Sequence, residues 1–149
     1  MMNTKQITNR HSADQDPAIH HFQAQVYYED TDHSGVVYHS NYLKFFERAR
    51  ENIFGVQNLV QMWHDKHIGF AVYKADIGYH DGAQFGDLLD IRTTWEKQGA
   101  YRVVFFHSAW RPGQNKPAVT CTLELVCLGP GKKLLPIPEF DFLDQENLN

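Results

Sequence analysis

One stretch of this chain carries a wide apolar helical face, and it is followed by four stretches whose apolar residues alternate with a period of two. Tyr42, Phe46, Ala49 and Ile53 recur at spacings of four, three and four, with Leu43 and Phe54 beside them, while Lys44, Glu47, Arg48 and Glu51 fill the opposite side. Ser40 or Asn41 can cap the start of this helix and Gly55 can end it. Residues 56–69 are ambiguous and admit a short second helix and a loop. Phe70–Tyr79, Asp87–Lys97, Tyr101–Arg111 and Ala118–Leu128 then read as strands, separated by turn chemistry such as Gln98-Gly99-Ala100 and Pro112-Gly113-Gln114-Asn115. Before the helix, Phe22, Ala24, Val26 and Tyr28 occupy every second position, which predicts a half-buried strand with Tyr28 pointing inward. Short turns imply antiparallel hairpins. One enclosed helix needs cover, and a strongly twisted sheet supplies it by curling around the helix. The chain is therefore read as α+β, a curved antiparallel sheet of five to six strands around one long central helix. Val103-Val104-Phe105-Phe106 is apolar on both faces, so the sheet's other face also needs cover, most simply from a partner subunit.

The length of 149 residues suits one domain with a real core. Residues 1–18 carry no periodicity and read as a flexible tail, 19–138 as the folded domain, and 139–149 as a C-terminal tail, with little regular structure expected after Pro130. No apolar run approaches the ~20 residues needed to span a bilayer, and the first sixteen residues lack the apolar core of a signal peptide. A cytoplasmic protein that is not integral to a membrane is expected. The net charge of −4 argues against a nucleic-acid partner, which requires a basic surface. Cys121 and Cys127 lie six residues apart on one strand, ~20 Å from each other, and cannot bridge within the chain.

The segment Glu29-Asp30-Thr31-Asp32-His33-Ser34-Gly35-Val36-Val37-Tyr38-His39 concentrates the chemistry. It leaves a strand, supplies two carboxylates and feeds into the start of the long helix. A helix N-terminus offers unpaired N–H groups and the positive end of a dipole, which stabilise a developing oxyanion. A carboxylate beside it can act as nucleophile or as general base on water. Residue chemistry alone also admits a purely structural loop, because Asp, Ser and Asn are favoured in turns and caps.

Tyr28 through Leu43, with Phe46-Glu47-Arg48-Ala49-Arg50 after it, closely resembles the signature of the 4-hydroxybenzoyl-CoA thioesterase-like family, nearest to its bacterial branch of acyl-CoA thioesterases associated with the Tol-Pal system. The resemblance spans about residues 20–138 and implies the hotdog fold, in agreement with the element order. It implies that Asp32 is the catalytic carboxylate and that the backbone N–H of His39 polarises the thioester carbonyl. Tyr28 and the His39 side chain match positions that hold the acid and the attacking group. Gly35 matches the glycine that turns the loop against substrate, and Val36, Val37 and Tyr38 fall in the substrate-binding stretch. Asp30 is read as a turn or cap acceptor. The implied activity is acyl-CoA hydrolysis without a cofactor, coenzyme A being part of the substrate, in a homodimer or homotetramer with the site between subunits.

Other candidates read as structural. Glu47 could be a working acid on the helix, but its position suits a surface ion pair with Arg50. His64-Asp65-Lys66-His67 lacks the convergent ligand set of a metal site and reads as a solvated turn, so no metal is expected. His80 and His107 read as core or edge residues. Arg102, Arg111 and Lys132-Lys133 could meet coenzyme A phosphates. Two rival functions stand beside hydrolysis. A hotdog hydratase or dehydratase would place a histidine base close to its acid, whereas here the spacing is seven. A non-catalytic acyl-CoA-binding module would have no use for Asp32. Acyl-carrier-protein substrates are a third possibility, to which the acidic net charge lends no support.

Overall fold

The computed structural model describes residues 19–140 and Leu143. The elements run β1 (His20–Gln25), α1 (Asn41–Phe54), α2 (Val56–Lys66), β2 (Gly69–Tyr79), β3 (Leu88–Gln98), β4 (Arg102–Trp110), β5 (Val119–Leu128) and β6 (Leu134–Leu135). The strands form one sheet in the order β1-β3-β4-β5-β2, with the two-residue β6 also on β5, and every pairing is antiparallel. This is the hotdog arrangement, a six-stranded antiparallel sheet around the central helix α1. The expected tail at 1–18 lies outside the described residues, as do 141–142 and 144–149. Among the described residues, no helix is long and apolar enough to cross a membrane.

Alternation along the strands decides what meets α1. Phe105, Leu123 and Trp95 share one inward row across β4, β5 and β3, and Ile91, Ala109 and Val119 share another. Against them α1 buries Tyr42, Phe45, Phe46, Ala49 and Phe54, each at most 3% exposed. Burying a large apolar side chain contributes about 1.5–3 kcal/mol, so this one helix face anchors the domain. The helix is rotated slightly from the stripe read in the sequence: Ile53 is only half-buried, while Phe45 and Arg50 are buried. Gly55 ends α1 as expected, at φ +84°, where any other residue would be strained, and its N–H donates to the Glu51 carbonyl at 2.8 Å. Residues 56–66 form α2, which buries none of its side chains completely. His64 and Asp65 accordingly sit on the last turn of a helix, not in a loop.

The first strand is shorter than alternation suggested. Val26 still exchanges hydrogen bonds with the 86–87 backbone, but the Tyr27 N–H then donates to the Asp30 carboxylate at 2.8 Å and the chain tightens into a 3₁₀ turn over Tyr28–Asp30. A local side-chain acceptor outcompetes the sheet ladder. Tyr28 consequently points outward, 79% exposed, correcting the inward placement. On β4, Val103, Val104 and Phe105 are buried, while Phe106 stands 41% exposed on the face away from α1.

Candidate active site

The loop from Thr31 to Ser40 is held by backbone pairing at both ends. Thr31 bridges Val37, Val36 bridges Gln84, and the Val37 N–H donates to the Ala83 carbonyl at 2.8 Å. The loop thus becomes a short extra hairpin against residues 82–84. Gly82 lies so close to Val36 that a Cβ there would come within 2.7 Å of Val36 Cγ1. The 80–87 segment is fixed in turn by Arg111, which donates to Asp87 at 2.8 Å and to Asp81 at 3.0 Å. Arg111 is therefore engaged by two carboxylates. Arg102 faces Glu124 at 3.5 Å and lies over the Tyr73 ring.

Within the hairpin the two carboxylates have different tasks. Asp30 accepts from the Tyr27 N–H through its side chain, and its carbonyl accepts from Asn41 Nδ2 at 3.0 Å and from the Tyr38 N–H at 2.9 Å. It ties the strand end to the first turn of α1, which is the structural role read from the sequence. Asn41 holds the helix start to the loop, and neither Ser40 nor Asn41 makes a side-chain cap of the ordinary kind. Asp32 sits at the tip. Its Oδ1 accepts from both the Ser34 N–H at 2.8 Å and the Ser34 hydroxyl at 2.7 Å, while Oδ2 accepts no hydrogen bond among the described residues. The Ser34 hydroxyl, aided by nearby backbone N–H groups, holds the Asp32 carboxyl below the usual carboxylate range. Asp32 is thus an ionised carboxylate with one oxygen oriented and the other open.

Gly35 has φ +84° and donates its N–H to the Asp32 carbonyl at 3.0 Å. A Cβ there would meet nothing, so the backbone conformation alone requires glycine. Val36 is half-buried, Val37 is buried, and Tyr38 is exposed with its ring 4.4 Å from that of His39. His39 lies immediately before the helix. Its carbonyl accepts from the Tyr79 hydroxyl at 2.8 Å, which binds the loop to the end of β2. Its N–H donates to no group among the described residues. The Asp32, Gly35 and His39 positions are therefore gathered on one loop surface. Tyr28 stands apart from Asp32, edge-on to Phe85 at 6.0 Å, and no hydrogen bond joins the side chain of Tyr28 or His39 to Asp32.

A second polar cluster went unread in the sequence. Arg50, 3% exposed, donates from Nη1 to His107 Nε2 at 3.1 Å and ion-pairs with Glu47. His107, 2% exposed, meets Thr93 Oγ1 through Nδ1 at 2.8 Å and lies flat against Phe46, with ring centroids 4.9 Å apart. A guanidinium only donates, so Nε2 is the unprotonated nitrogen and Nδ1–H donates to Thr93. Burial and the facing Arg50 cation push the imidazole down to about 3. Burial likewise pushes the neighbouring Cys121 thiol up to about 11, which makes it an inert core group. The signal was present: Arg50 follows Phe46 by four residues, on the apolar stripe itself. Glu47 is engaged by Arg50, but the pair is not a surface one as read from the sequence, because Arg50 is buried beneath the sheet. Among the described residues, no three His, Cys, Asp or Glu side chains converge as metal ligands.

Comparison with known proteins places this geometry in context. The sequence profile of the Thioesterase-like superfamily matches residues 26–144. The acyl-CoA thioesterase YbgC of Haemophilus influenzae is 34% identical over 113 residues, covering 74% of this chain and 82% of that protein. The protein of the same name from Helicobacter pylori is 40% identical over 88 residues, 59% of this chain and 65% of its own length. Among solved structures, a probable thioesterase from Bartonella henselae superposes with a TM-score of 0.74 at 31% identity, covering 81% of this chain and all of that one. The 1,4-dihydroxy-2-naphthoyl-CoA thioesterase of Synechocystis superposes equally well at 24% identity, covering 80% and 90%, and speaks to the fold alone. With its fold and its relatives in agreement, this chain belongs to the Thioesterase-like superfamily and is a thioester hydrolase of the hotdog fold.

Proposed function

We propose that the protein hydrolyses acyl-CoA to the free acid and coenzyme A, with Asp32 as the catalytic carboxylate and the His39 N–H as the oxyanion donor. The observation that carries this reading is the Asp32 carboxylate, ionised, fixed through Oδ1 by Ser34 and open at Oδ2. The similarity to acyl-CoA thioesterases of Haemophilus influenzae and Helicobacter pylori supplies the substrate class. Oδ2 either attacks the thioester carbonyl carbon or removes a proton from a water that attacks it. In the first route the tetrahedral oxyanion collapses, the C–S bond breaks, coenzyme A leaves as thiolate, and water then cleaves the acyl-aspartyl anhydride. In the second, water's oxygen forms the new C–O bond directly. Either way negative charge develops on the carbonyl oxygen, where the unengaged His39 N–H and the N-terminal end of α1 stabilise it. The thiolate is a competent leaving group, so the reaction requires no cofactor, and an acyl-CoA substrate supports a cytoplasmic location.

The unit of function is a dimer in this proposal. β2 is an outermost strand eleven residues long, with Val72 48% and Tyr73 65% exposed. Such an edge is a template for pairing with a second copy, and Phe106 on the outer face offers a further contact for a tetramer of two dimers.

Thiol release over a panel of acyl-CoAs tests the proposal. Asp32→Asn should lower kcat on the order of 10²–10³-fold or more with acyl-CoA binding near normal. His39→Ala should cost less, because the backbone N–H remains. Full kcat in Asp32→Asn would overturn the assignment. Loss of enoyl absorbance without thiol release would mark a hydratase, and tight binding without turnover of any acyl-CoA would mark a carrier module.

A further inference from the structure

The last turn of the loop before α1 is closed by a hydrogen bond from the Asn41 N–H to the Tyr38 carbonyl at 2.8 Å. His39 and Ser40 are therefore its central residues, and the peptide between them is its middle peptide. Ser40 has φ −76° and ψ −16°, close to the third residue of a type I turn. Type I and type II turns share the closing bond and differ by a rotation of the middle peptide through about 180°, so that peptide is the weak point of the turn. In a continuous helix its carbonyl would accept from the Leu43 N–H, but that group donates to the Ser40 carbonyl at 3.2 Å. The His39 carbonyl accepts instead from the Tyr79 hydroxyl at 2.8 Å. Tyr79 is the last residue of β2 and pairs with Val119 of β5. Its ring lies edge-on to the rings of His39 and of the buried Tyr42, at 6.3 and 6.0 Å. The donor is thus mounted on the sheet and steered by ring contacts on the loop and on α1. Burial raises the phenol above its ordinary value, so it keeps its proton.

The carbonyl and N–H of one trans peptide point opposite ways. With the His39 carbonyl turned to Tyr79, the N–H of the same peptide, on Ser40, points out of the N-terminal end of α1. The preceding peptide is held likewise: its carbonyl, on Tyr38, accepts from Asn41, and its N–H, on His39, points away from the helix. Neither N–H has an acceptor among the described residues. We infer that Tyr79 is a positioning residue for thioester hydrolysis: its hydroxyl holds the middle peptide of the 38–41 turn so that the Ser40 N–H joins the His39 N–H as a second donor to the oxyanion. Without the hydroxyl the middle peptide is free to turn over. That puts the His39 carbonyl oxygen where the Ser40 N–H stood, a repulsive dipole for developing negative charge. The flipped turn requires a φ of about +80° at Ser40, which a residue with a Cβ resists, so only a fraction of molecules turn over. This role presupposes the thioesterase reading and adds a residue, outside the catalytic loop, that sets the strength of its oxyanion site.

Tyr79→Phe removes the hydroxyl and keeps the ring contacts. On the acyl-CoA that the wild-type protein hydrolyses fastest, kcat should fall on the order of tenfold, between the loss of one hydrogen bond and the loss of an oxyanion donor. KM should change little, and the acid limb of the pH profile should stay in place, because Asp32 keeps Ser34. Two non-hydrolysable coenzyme A analogues separate positioning from stability. A trifluoromethyl ketone analogue, which takes up a tetrahedral form, should bind the variant about tenfold more weakly than the wild type. A thioether analogue, which has a methylene in place of the carbonyl, should bind both equally. Lost thermal stability with kcat and both affinities unchanged would make the hydroxyl a mere staple of the loop and overturn the inference, as would equal weakening of both analogues. Ser40→Gly is an arm independent of the tyrosine. The serine side chain makes no capping hydrogen bond, and glycine admits the flipped turn. The preference for ketone over thioether should therefore drop in Ser40→Gly, less than in Tyr79→Phe. In the Ser40→Gly/Tyr79→Phe double variant it should drop by more than the product of the single losses. An unchanged preference in Ser40→Gly, or strictly multiplicative losses, overturns the inference. If the wild-type protein releases thiol from no acyl-CoA, the thioesterase reading itself has failed; normal turnover in Tyr79→Phe fails only the role of Tyr79.

Discussion

Acid should destabilise this protein through His107 well before its carboxylates titrate. The imidazole is enclosed by Arg50 and Phe46 from α1, Thr93 from β3 and Cys121 from β5, and it is 2% exposed. Burial and the Arg50 cation take it from 6.5 in the unfolded chain to about 3 in the folded one. Because the folded value is the lower one, its contribution is fully present above pH 6.5 and shrinks as pH falls, since only the unfolded state takes up the proton. Between pH 7.5 and pH 5 the loss is about 2 kcal/mol, and it would reach about 4 kcal/mol near pH 3. Urea unfolding at pH 7.5, 6.5, 5.5 and 5.0 measures it. His107→Gln keeps an acceptor for Arg50 and a donor for Thr93 but cannot titrate. It should lower stability at pH 7.5 and flatten the dependence below pH 6.5 by about 1.4 kcal/mol per pH unit. His20, lowered chiefly by burial, acts in the same direction in both proteins and cancels from the difference. Parallel stability curves would refute the reasoning. An imidazole resonance of His107 titrating near 6.5 in the wild-type protein would refute it as well, whether or not the variant folds.

The loop gives two further expectations. Ser34→Ala removes the hydroxyl that does most to hold the Asp32 carboxyl low, so the acid limb of the kcat/KM profile should move to higher pH; an unmoved limb would mean that Asp32 is not the ionising group. Gly35→Ala meets no steric obstacle but forces an alanine to φ +84°, at about 1–2 kcal/mol. Thermal unfolding should register that cost, and activity should fall further than stability because the strain lies in the turn that carries Asp32.

The sequence by itself determined the architecture. Period-two alternation from Phe70 onward and one helical stripe placed the strands within a residue or so of their observed ends, because register and face follow from which side chains must leave water. It also separated Asp30 from Asp32 through the family signature, and Asp30 proves to be the residue that closes the turn. Tertiary structure decided what depends on competition between local and long-range bonds. Tyr28 follows the alternation on paper, yet the Asp30 carboxylate captures the Tyr27 N–H and turns Tyr28 outward. Arg50 looked like a surface charge, yet the helix rotation carries it under the sheet, where His107 and Glu47 satisfy its donors. The open Oδ2 of Asp32 is likewise a three-dimensional fact, because it depends on how Ser34 folds back onto Oδ1.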